Sequence, residues 1–404
     1  MSLVPLRQSV LSEANRRGPG SMSALKEIRN LTEQIFKPKR LNTVVFFVTS
    51  ICNERCRHCF YWEELNQKGD LTFEQIRRIS ETMPAISDLW LSGGEPFMRK
   101  ELAEILELFY RNNDIRWVNL PTNGLFAERA HRCLDRVLTS CPELHIDLNV
   151  SVDGFEATHE KLRGVPGCYP KTLEMIRSLP PLVEKHRKQL RVNMNTCLNA
   201  DNADELIDFT KFVYEELPMD GQYLQLIRGS VMDASLKQIP LEKLREIYAY
   251  ARWLYDRYAE RMFKSLPWAS REALKLGYAG TLAFHNKIQY ANYLQSTRWP
   301  MACTAGETFC VIDYNGDVRA CELRGKLANL KDYDYDFSRF WADTIRQRET
   351  KQIVCDQCWC THVCNIHDSA RYSPKVLTVD IPFTYFETRP SRSQDLETLA
   401  LPPD

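Results

Sequence analysis

The chain has 404 residues, 44% of them hydrophobic, and its 53 Lys and Arg are balanced by 53 Asp and Glu. That length allows two or three domains, and the even charge offers no global field to recruit nucleic acid or an anionic membrane. No run of eighteen apolar residues marks a membrane span, and the N-terminal stretch lacks the apolar core of a secretory signal, so a cytoplasmic protein with no membrane partner is expected. Fourteen cysteines is a high count, and most crowd into residues 52–59 and 303–364. Disulfide frameworks belong to small secreted domains, so these clustered thiols point to metal or iron–sulfur ligation. Cys133, Cys141, Cys168 and Cys197 stand singly and read as small hydrophobes near the core.

Residues 1–41 show no strong period and are expected to form an N-terminal extension. "NTVVFFVTS" (42–50) is an apolar run of strand length. Thr72 opens "TFEQIRRISETM" with Gln75 three residues on, a capping box that predicts a helix. A second buried strand, "SDLWLSGG" (87–94), leads into the periodic helix "KELAEILELFYRN". Strand "IRWVNLPTNG", helix "ERAHRCLDRVLTS" and strand "HIDLNVSVDG" follow. The next helix, "YPKTLEMIRSLPPLVEKH", is interrupted by two prolines. "LRVNMNTCL" is a fifth strand, "ADELIDFTKFVYEEL" a helix and "QYLQLIRG" a sixth strand. Six apolar strands alternating with helices predict βα units and a parallel sheet. Polar residues gather just past the strands, at Ser50, Ser92, Asn123, Ser151, Asn195 and Arg228. The carboxyl ends of the strands are where such sheets bind ligands.

Residues 231–298 contain no comparable strand and predict a helical linker. Helical spacing puts Leu241, Leu244, Tyr248, Ala251, Tyr255, Tyr258 and Met262 on one packing face. After Pro300, "TFCVIDYNGDVRAC" sets Asn315-Gly316 between two alternating segments, a hairpin signal. Cys303 and Cys321 flank the hairpin, and "CDQCWCTHVC" adds Cys355, Cys358, Cys360 and Cys364. Residues 299–370 thus form a small cysteine-rich unit, and the tail at 371–404 shows no clear period.

Cys52, Cys56 and Cys59 share one loop after the first strand, spaced C-x3-C-x2-C. A structural zinc site wants four ligands, and His58 in the same loop could supply the fourth. Three thiolates alone could instead ligate three irons of a [4Fe–4S] cube, leaving one iron open to a substrate or cofactor.

With Phe60 after the last cysteine and "SGGEP" (92–96) after the second strand, this loop resembles the signature of the radical S-adenosylmethionine (SAM) superfamily. "PTNG" (121–124), "SVDG" (151–154) and "KLRG" (161–164) match recurring features of that family's barrel. The resemblance covers residues 42–230 and implies an α/β fold, a partial (β/α)6 TIM-like barrel, followed by the linker and a β-hairpin/α auxiliary-cluster domain. It implies that Cys52, Cys56 and Cys59 hold a [4Fe–4S] cluster whose open iron is chelated by SAM. Phe60, Gly93, Gly94 and Glu95 would border SAM, the last three at its amino group. Asn123, Ser151 and Asp153 would lie beside its ribose and methionine portions, and Arg163 would pair with its carboxylate. An electron from a reductant such as flavodoxin or ferredoxin would cleave SAM to methionine and a 5′-deoxyadenosyl radical, which abstracts a substrate hydrogen atom.

The cysteine-rich unit resembles the auxiliary-cluster domains called SPASM and twitch, through "CTAGETFCVIDYNGDVRACE" and "KLANLKDYDYDF". It departs from the seven-cysteine SPASM pattern, because position 368 is Asp and no cysteine lies beyond 364. Six cysteines cannot supply eight thiolates, so one auxiliary [4Fe–4S] cluster is expected. Its ligands would be Cys303 and Cys321 with two of Cys355, Cys358, Cys360 and Cys364. Cys360 and Cys364 come first and Cys358 next, and a zinc site is the alternative. Cys310, within the hairpin strand, reads as core. The implied activity is oxidation, dehydrogenation or another radical modification of a small molecule or peptide. A peptide-modifying maturase (RiPP or sulfatase-type) and a non-catalytic iron–sulfur electron-transfer protein are the alternatives. Forty residues before the first strand are too few for the peptide-recognition domain that some relatives carry, which favours a small substrate or a peptide delivered by another protein. Cys197, at the end of the fifth strand, is the candidate hydrogen donor.

Overall fold

The computed structural model describes residues 39–295 and 298–389. Most of the expected N-terminal extension (1–38), residues 296–297 of the linker and the end of the tail (390–404) lie outside the described residues.

The predicted alternation is present throughout the first half. In chain order it runs β1 (Thr43–Thr49), α1 (Phe73–Thr82), β2 (Asp88–Gly93), α2 (Leu102–Asn113), β3 (Trp117–Thr122), α3 (Ala127–Ser140) and β4 (His145–Ser151). There follow α4 (Glu156–Arg163), α5 (Cys168–Ser178), α6 (Pro180–Lys185), β5 (Leu190–Leu198), α7 (Leu206–Glu216) and β6 (Gly221–Leu226). The capping box forms in full: the Thr72 hydroxyl accepts from the Gln75 N–H, and the Gln75 side chain accepts from the Thr72 N–H. Pro180 and Pro181 split the fifth and sixth helices, each tolerated because it sits in the first turn of the second one.

All six strands pair in parallel, in the order β6-β5-β4-β3-β2-β1. One face of the sheet is apolar: Val44, Phe46, Val48, Leu89, Leu91, Val118, Leu120, Ile146, Leu148, Val150, Val192 and Met194 pack against the helices in one core. Each such side chain contributes about 1.5–3 kcal/mol on burial, which sets the register of the whole sheet. The other face lines an interior.

The linker is two long helices, α8 (Leu241–Phe263) and α9 (Trp268–Gln295). Leu244, Tyr248, Ala251, Tyr255 and Tyr258 of the predicted stripe are buried, whereas Leu241 is 44% exposed and Met262 borders the interior cavity. A second stripe, Tyr250, Leu254 and Tyr258, packs toward Ile207 and Tyr214, so α8 is buried on two sides.

The hairpin forms as β7 (Phe309–Ile312) and β8 (Asp317–Arg319), turning at Gly316 with φ +85°, and β9 (Lys326–Asn329) follows. β7 also pairs in parallel with β1, Thr43 opposite Phe309. One open nine-stranded sheet therefore joins the βα half to the cysteine-rich segment. Beyond it lie α10 (Phe337–Ala342), α11 (Thr344–Cys355) and α12 (Val363–Arg371). The stretch read as lacking a period continues as a π-helical turn, Val376–Asp380, and α13 (Ile381–Glu387). Val376, Ile381 and Tyr385 are buried there, and a Cβ on Gly280 of α9 would stand 3.0 Å from Ile381. Two prolines and two short turns hide this packing from any period count. Among the described residues no helix is long and apolar enough to cross a membrane.

Candidate active site

The cysteine loop leaves β1 at its carboxyl end and is tied down on both sides. The Ser50 N–H and hydroxyl donate to Asp70 at 3.0 and 2.9 Å, and the Cys52 N–H donates to Asn66 at 3.1 Å. The Arg55 and Arg57 N–H groups donate to the carbonyls of Arg163 and Leu162 at the end of α4, at 3.2 and 2.9 Å. Loops of this kind are mobile unless their backbone groups are paired. Here the pairing fixes three thiols toward the interior.

Beneath the loop sits a buried charge cage. Arg163 holds Asp153 through Nε at 2.7 Å and Glu54 through Nη1 at 3.2 Å, with the Cys56 sulfur 3.8 Å away. Burial pushes the Asp153 carboxyl up, but Arg163 and His58 outweigh it and leave the group below its ordinary value. Glu54 goes the other way, since its burial dominates over the pull of Arg163. Its Oε1 has no partner. His58 Nε2 faces Asp153 at 3.4 Å, and burial lowers this imidazole to about 4. Burial raises all three loop thiols, Cys52 to about 12.

Gly93 and Gly94 are required by the protein's own backbone. A Cβ would lie 2.3 Å from the Thr49 carbonyl oxygen at Gly93 and 2.1 Å from that of Ile51 at Gly94. The Glu95 carboxylate accepts from the N–H groups of Asn123 and Phe97 and from the Thr122 hydroxyl, at 2.7, 3.1 and 3.0 Å. Burial still raises it to about 7 against those donors. Asn123 donates its amide to Asn53 at 2.7 Å, linking the end of β3 to the cysteine loop. Phe60 carries the Arg228 guanidinium over its ring at 4.5 Å. The Cys197 N–H donates to Asp153 at 2.9 Å, and burial raises its thiol.

Cys52, Cys56, Cys59, Glu95, Asn123, Ser151, Asp153, Arg163 and Cys197 all border one cavity of about 1040 Å³. Its far wall is a feature the sequence reading missed. Asn119, Asp147 and Arg191 sit abreast on β3, β4 and β5; Asn149 faces Asn193; Ser151, Asn195 and Tyr223 sit abreast one layer on. Barrel interiors are normally filled by branched apolar side chains. Here Asn149 Oδ1, Asn195 Oδ1 and Asn193 Nδ2 are buried with no partner. An unsatisfied buried polar group costs about 1–3 kcal/mol, a cost that a hydrogen-bonding ligand offsets. The signal was present as polar residues alternating with apolar ones in "HIDLNVS" and "LRVNMN".

The second cysteine group is packed among apolar side chains. Cys303 and Cys321 are buried in a cluster with Phe309, Ile353 and Ile366, and half-buried Cys358, Cys360 and Cys364 pack against it. Cys358 accepts from the Cys303 thiol and lies beside Arg324, which together outweigh burial and hold it below the ordinary thiol value. Cys321 and Cys360 are each close enough to Cys358 to feel its charge. Cys364 packs against the same cluster and also borders the cavity, with Arg228 and Glu322 beside it. Cys355 is exposed, and Cys310 is buried in the main core. Asp368 accepts from Thr43, Thr304 and Thr308 at 2.9, 2.7 and 2.5 Å, a structural knot between β1 and the start of the cysteine-rich segment. Among the described residues no three His, Cys, Asp or Glu side chains close on one point, as a single zinc ion requires. The donor sets fit iron–sulfur clusters: three half-buried thiols facing a cavity, and a second group in which buried Cys303 and Cys321 meet half-buried Cys358, Cys360 and Cys364 among apolar side chains.

Residues 46–213 match the radical SAM superfamily. This is a radical SAM domain. Around it the chain is similar to an AdoMet-dependent heme synthase from Oleidesulfovibrio alaskensis, 22% identical over 376 residues, 87% of this chain and 88% of that protein. A GTP 3′,8-cyclase from Pasteurella multocida is 26% identical over 200 residues, 47% of this chain, and the chain spans only 55% of that relative's length. In fold the chain resembles the structure of anSMEcpe with bound AdoMet, with a TM-score of 0.52 and 16% identity over 86% of this chain and 95% of that one.

Proposed function

We propose that this chain is an enzyme that cleaves SAM reductively and uses the resulting radical to take a hydrogen atom from a substrate held in the central cavity. The observation that carries this reading is the placement of three half-buried thiols, Cys52, Cys56 and Cys59, on a cavity whose opposite wall offers the unpartnered carboxamide oxygens of Asn149 and Asn195. A [4Fe–4S] cluster on those thiols would supply the electron and the open iron at which SAM is cleaved. Arg163 locks Asp153 and Glu54 under the loop, so the thiols keep their spacing. Glu95 holds the turn after β3 against the turn after β2 through its three donors. Phe263, Leu274 and Tyr278 roof the cavity and exclude the water that would quench a carbon radical. Burial keeps the Cys197 thiol protonated, so a hydrogen atom is available at its Sγ on the same wall.

Cys303, Cys321, Cys358 and Cys360 hold an auxiliary cluster in this reading, and Cys364 belongs to the substrate wall. The substrate is a small molecule. A peptide is the second reading, favoured by the Asn149 and Asn195 carboxamide oxygens on the cavity wall, which can accept from backbone amides. The test is anaerobic reconstitution, reduction and addition of SAM. The proposal expects 5′-deoxyadenosine and methionine in equal amounts. An iron-loaded protein that forms neither is an electron-transfer protein.

A further inference from the structure

The cavity is larger than its upper part requires. Ligand pockets commonly measure about 300–1,000 Å³. This one, at about 1040 Å³, continues from the cysteine loop down the sheet to the amino-terminal ends of the strands, where Asp88 and Trp117 border it. None of the residues placed around SAM lies at that lower end.

Two imidazoles meet there. His285 comes from α9 and His367 from α12, their ring centroids 5.3 Å apart and their planes at 80°. Both border the cavity, and the Trp90 indole lies 6.1 Å from His367. His285 is 4% exposed, and neither of its ring nitrogens has a partner. Burial, reinforced by Arg371, keeps both rings in the neutral form. A neutral imidazole offers one donor and one lone pair, and the lone pair is a preferred ligand for iron. Two histidines alone make a poor site for a free ion, and no third ligand closes on them among the described residues. The metal must therefore arrive with its other ligands attached. Cationic groups share this end: Arg371, paired with Asp88 at 3.1 Å, and Arg191, which lies over Trp117. Guanidinium groups beside aromatic faces suit a flat ligand edged with carboxylates.

We infer that the lower chamber seats a carboxylate-bearing iron tetrapyrrole as the substrate, with His367 as an axial ligand to its iron and His285 packed edge-on behind it. The inference rests on the proposed radical chemistry for its purpose but not for its test. It accords with the alignment to a heme synthase over 88% of that protein.

The experiment titrates ferric coproporphyrin III into the anaerobically reconstituted protein, without SAM or reductant, and follows the Soret band and the electron paramagnetic resonance of the ferric ion. Wild type should bind one equivalent with an imidazole-ligated signature. His367→Ala should lose that signature and bind at least tenfold more weakly, and added imidazole should restore the signature. Metal-free coproporphyrin III should bind wild type and variant alike, which shows that the chamber is intact. No binding of the ferric porphyrin to wild type, or an unchanged signature in His367→Ala, overturns the inference. Stoichiometric Zn²⁺ bound in its place, lost in His367→Ala, overturns it in favour of a free-ion site. Formation of 5′-deoxyadenosine by the same preparation reports separately on the radical reading, so either can fail alone.

Discussion

The two cysteine groups solve opposite problems with the same side chain. Cys52, Cys56 and Cys59 come from a single loop, and their sulfurs border an open cavity. Cys303, Cys321, Cys358, Cys360 and Cys364 come from both flanks of a hairpin and from a distant segment, and pack with apolar side chains that bury the first two. The first group is held by hydrogen bonds from the loop backbone and by the Arg163 cage. The second is held by packing against Phe309, Ile353 and Ile366. Local spacing thus gathers three thiols on one side of a cavity, and long-range packing gathers the second group among apolar side chains. The β7–β1 pairing mounts both on one sheet.

The largest effect expected comes from removing the first group. A Cys52/Cys56/Cys59 triple alanine variant should form no 5′-deoxyadenosine yet retain about four irons per chain, whereas a Cys303/Cys321/Cys358 triple serine variant should retain the cleavage. Iron analysis beside product chromatography checks both. Gly94→Ala comes next. Its Cβ meets the Ile51 carbonyl, so the loop must move or the strands part, at about 1–3 kcal/mol, and SAM cleavage should fall while the second cluster stays. Arg163→Met leaves Asp153 and Glu54 buried without a cation and should cost about 3–5 kcal/mol in denaturant unfolding, with slower alkylation of Cys56 in the folded apoprotein, whose thiolate Arg163 favours.

A smaller effect separates the lower chamber from the loop. His285 is held neutral at about 3, mainly by burial, while in the unfolded chain it titrates near 6.5. The unfolded state therefore binds the extra proton, and the stability present above pH 6.5 is lost as pH falls toward 3. His285→Leu should flatten that slope by up to about 1.4 kcal/mol per pH unit, read from urea midpoints across the window. The smallest is Thr72→Ala, which removes the capping box of α1 at about 1 kcal/mol and should leave SAM cleavage unchanged.

Much of this was legible in the residues. The six strands, the capping box, the proline break and the Asn-Gly hairpin each carry a local signal, and each appears where that signal put it. The polar inner wall was written in the same strands, but a buried strand's apolar face dominates any reading of its pattern, and Asn149 or Asn195 shows its role only when its neighbours are known. The ligands of the second group were not legible, because Cys358, Cys360 and Cys364 sit on short turns and all pack half-buried against the same apolar side chains. The glycines of "SGGEP" are a third case. Their place by the cysteine loop was readable, but the crowding that demands glycine comes from carbonyls on β1 and its loop, more than forty residues earlier. Asp368 gave no sign of the threonine knot it completes, since Thr43 lies at the opposite end of the chain.

The most direct measurement is electron paramagnetic resonance of the reduced Cys303/Cys321/Cys358 triple serine variant before and after SAM, with 5′-deoxyadenosine assayed on the same sample. A single [4Fe–4S] signal that shifts on adding SAM, with product formed, is the predicted result. A cluster-loaded variant whose signal is indifferent to SAM and which forms no product would contradict the assignment of the open site to Cys52, Cys56 and Cys59.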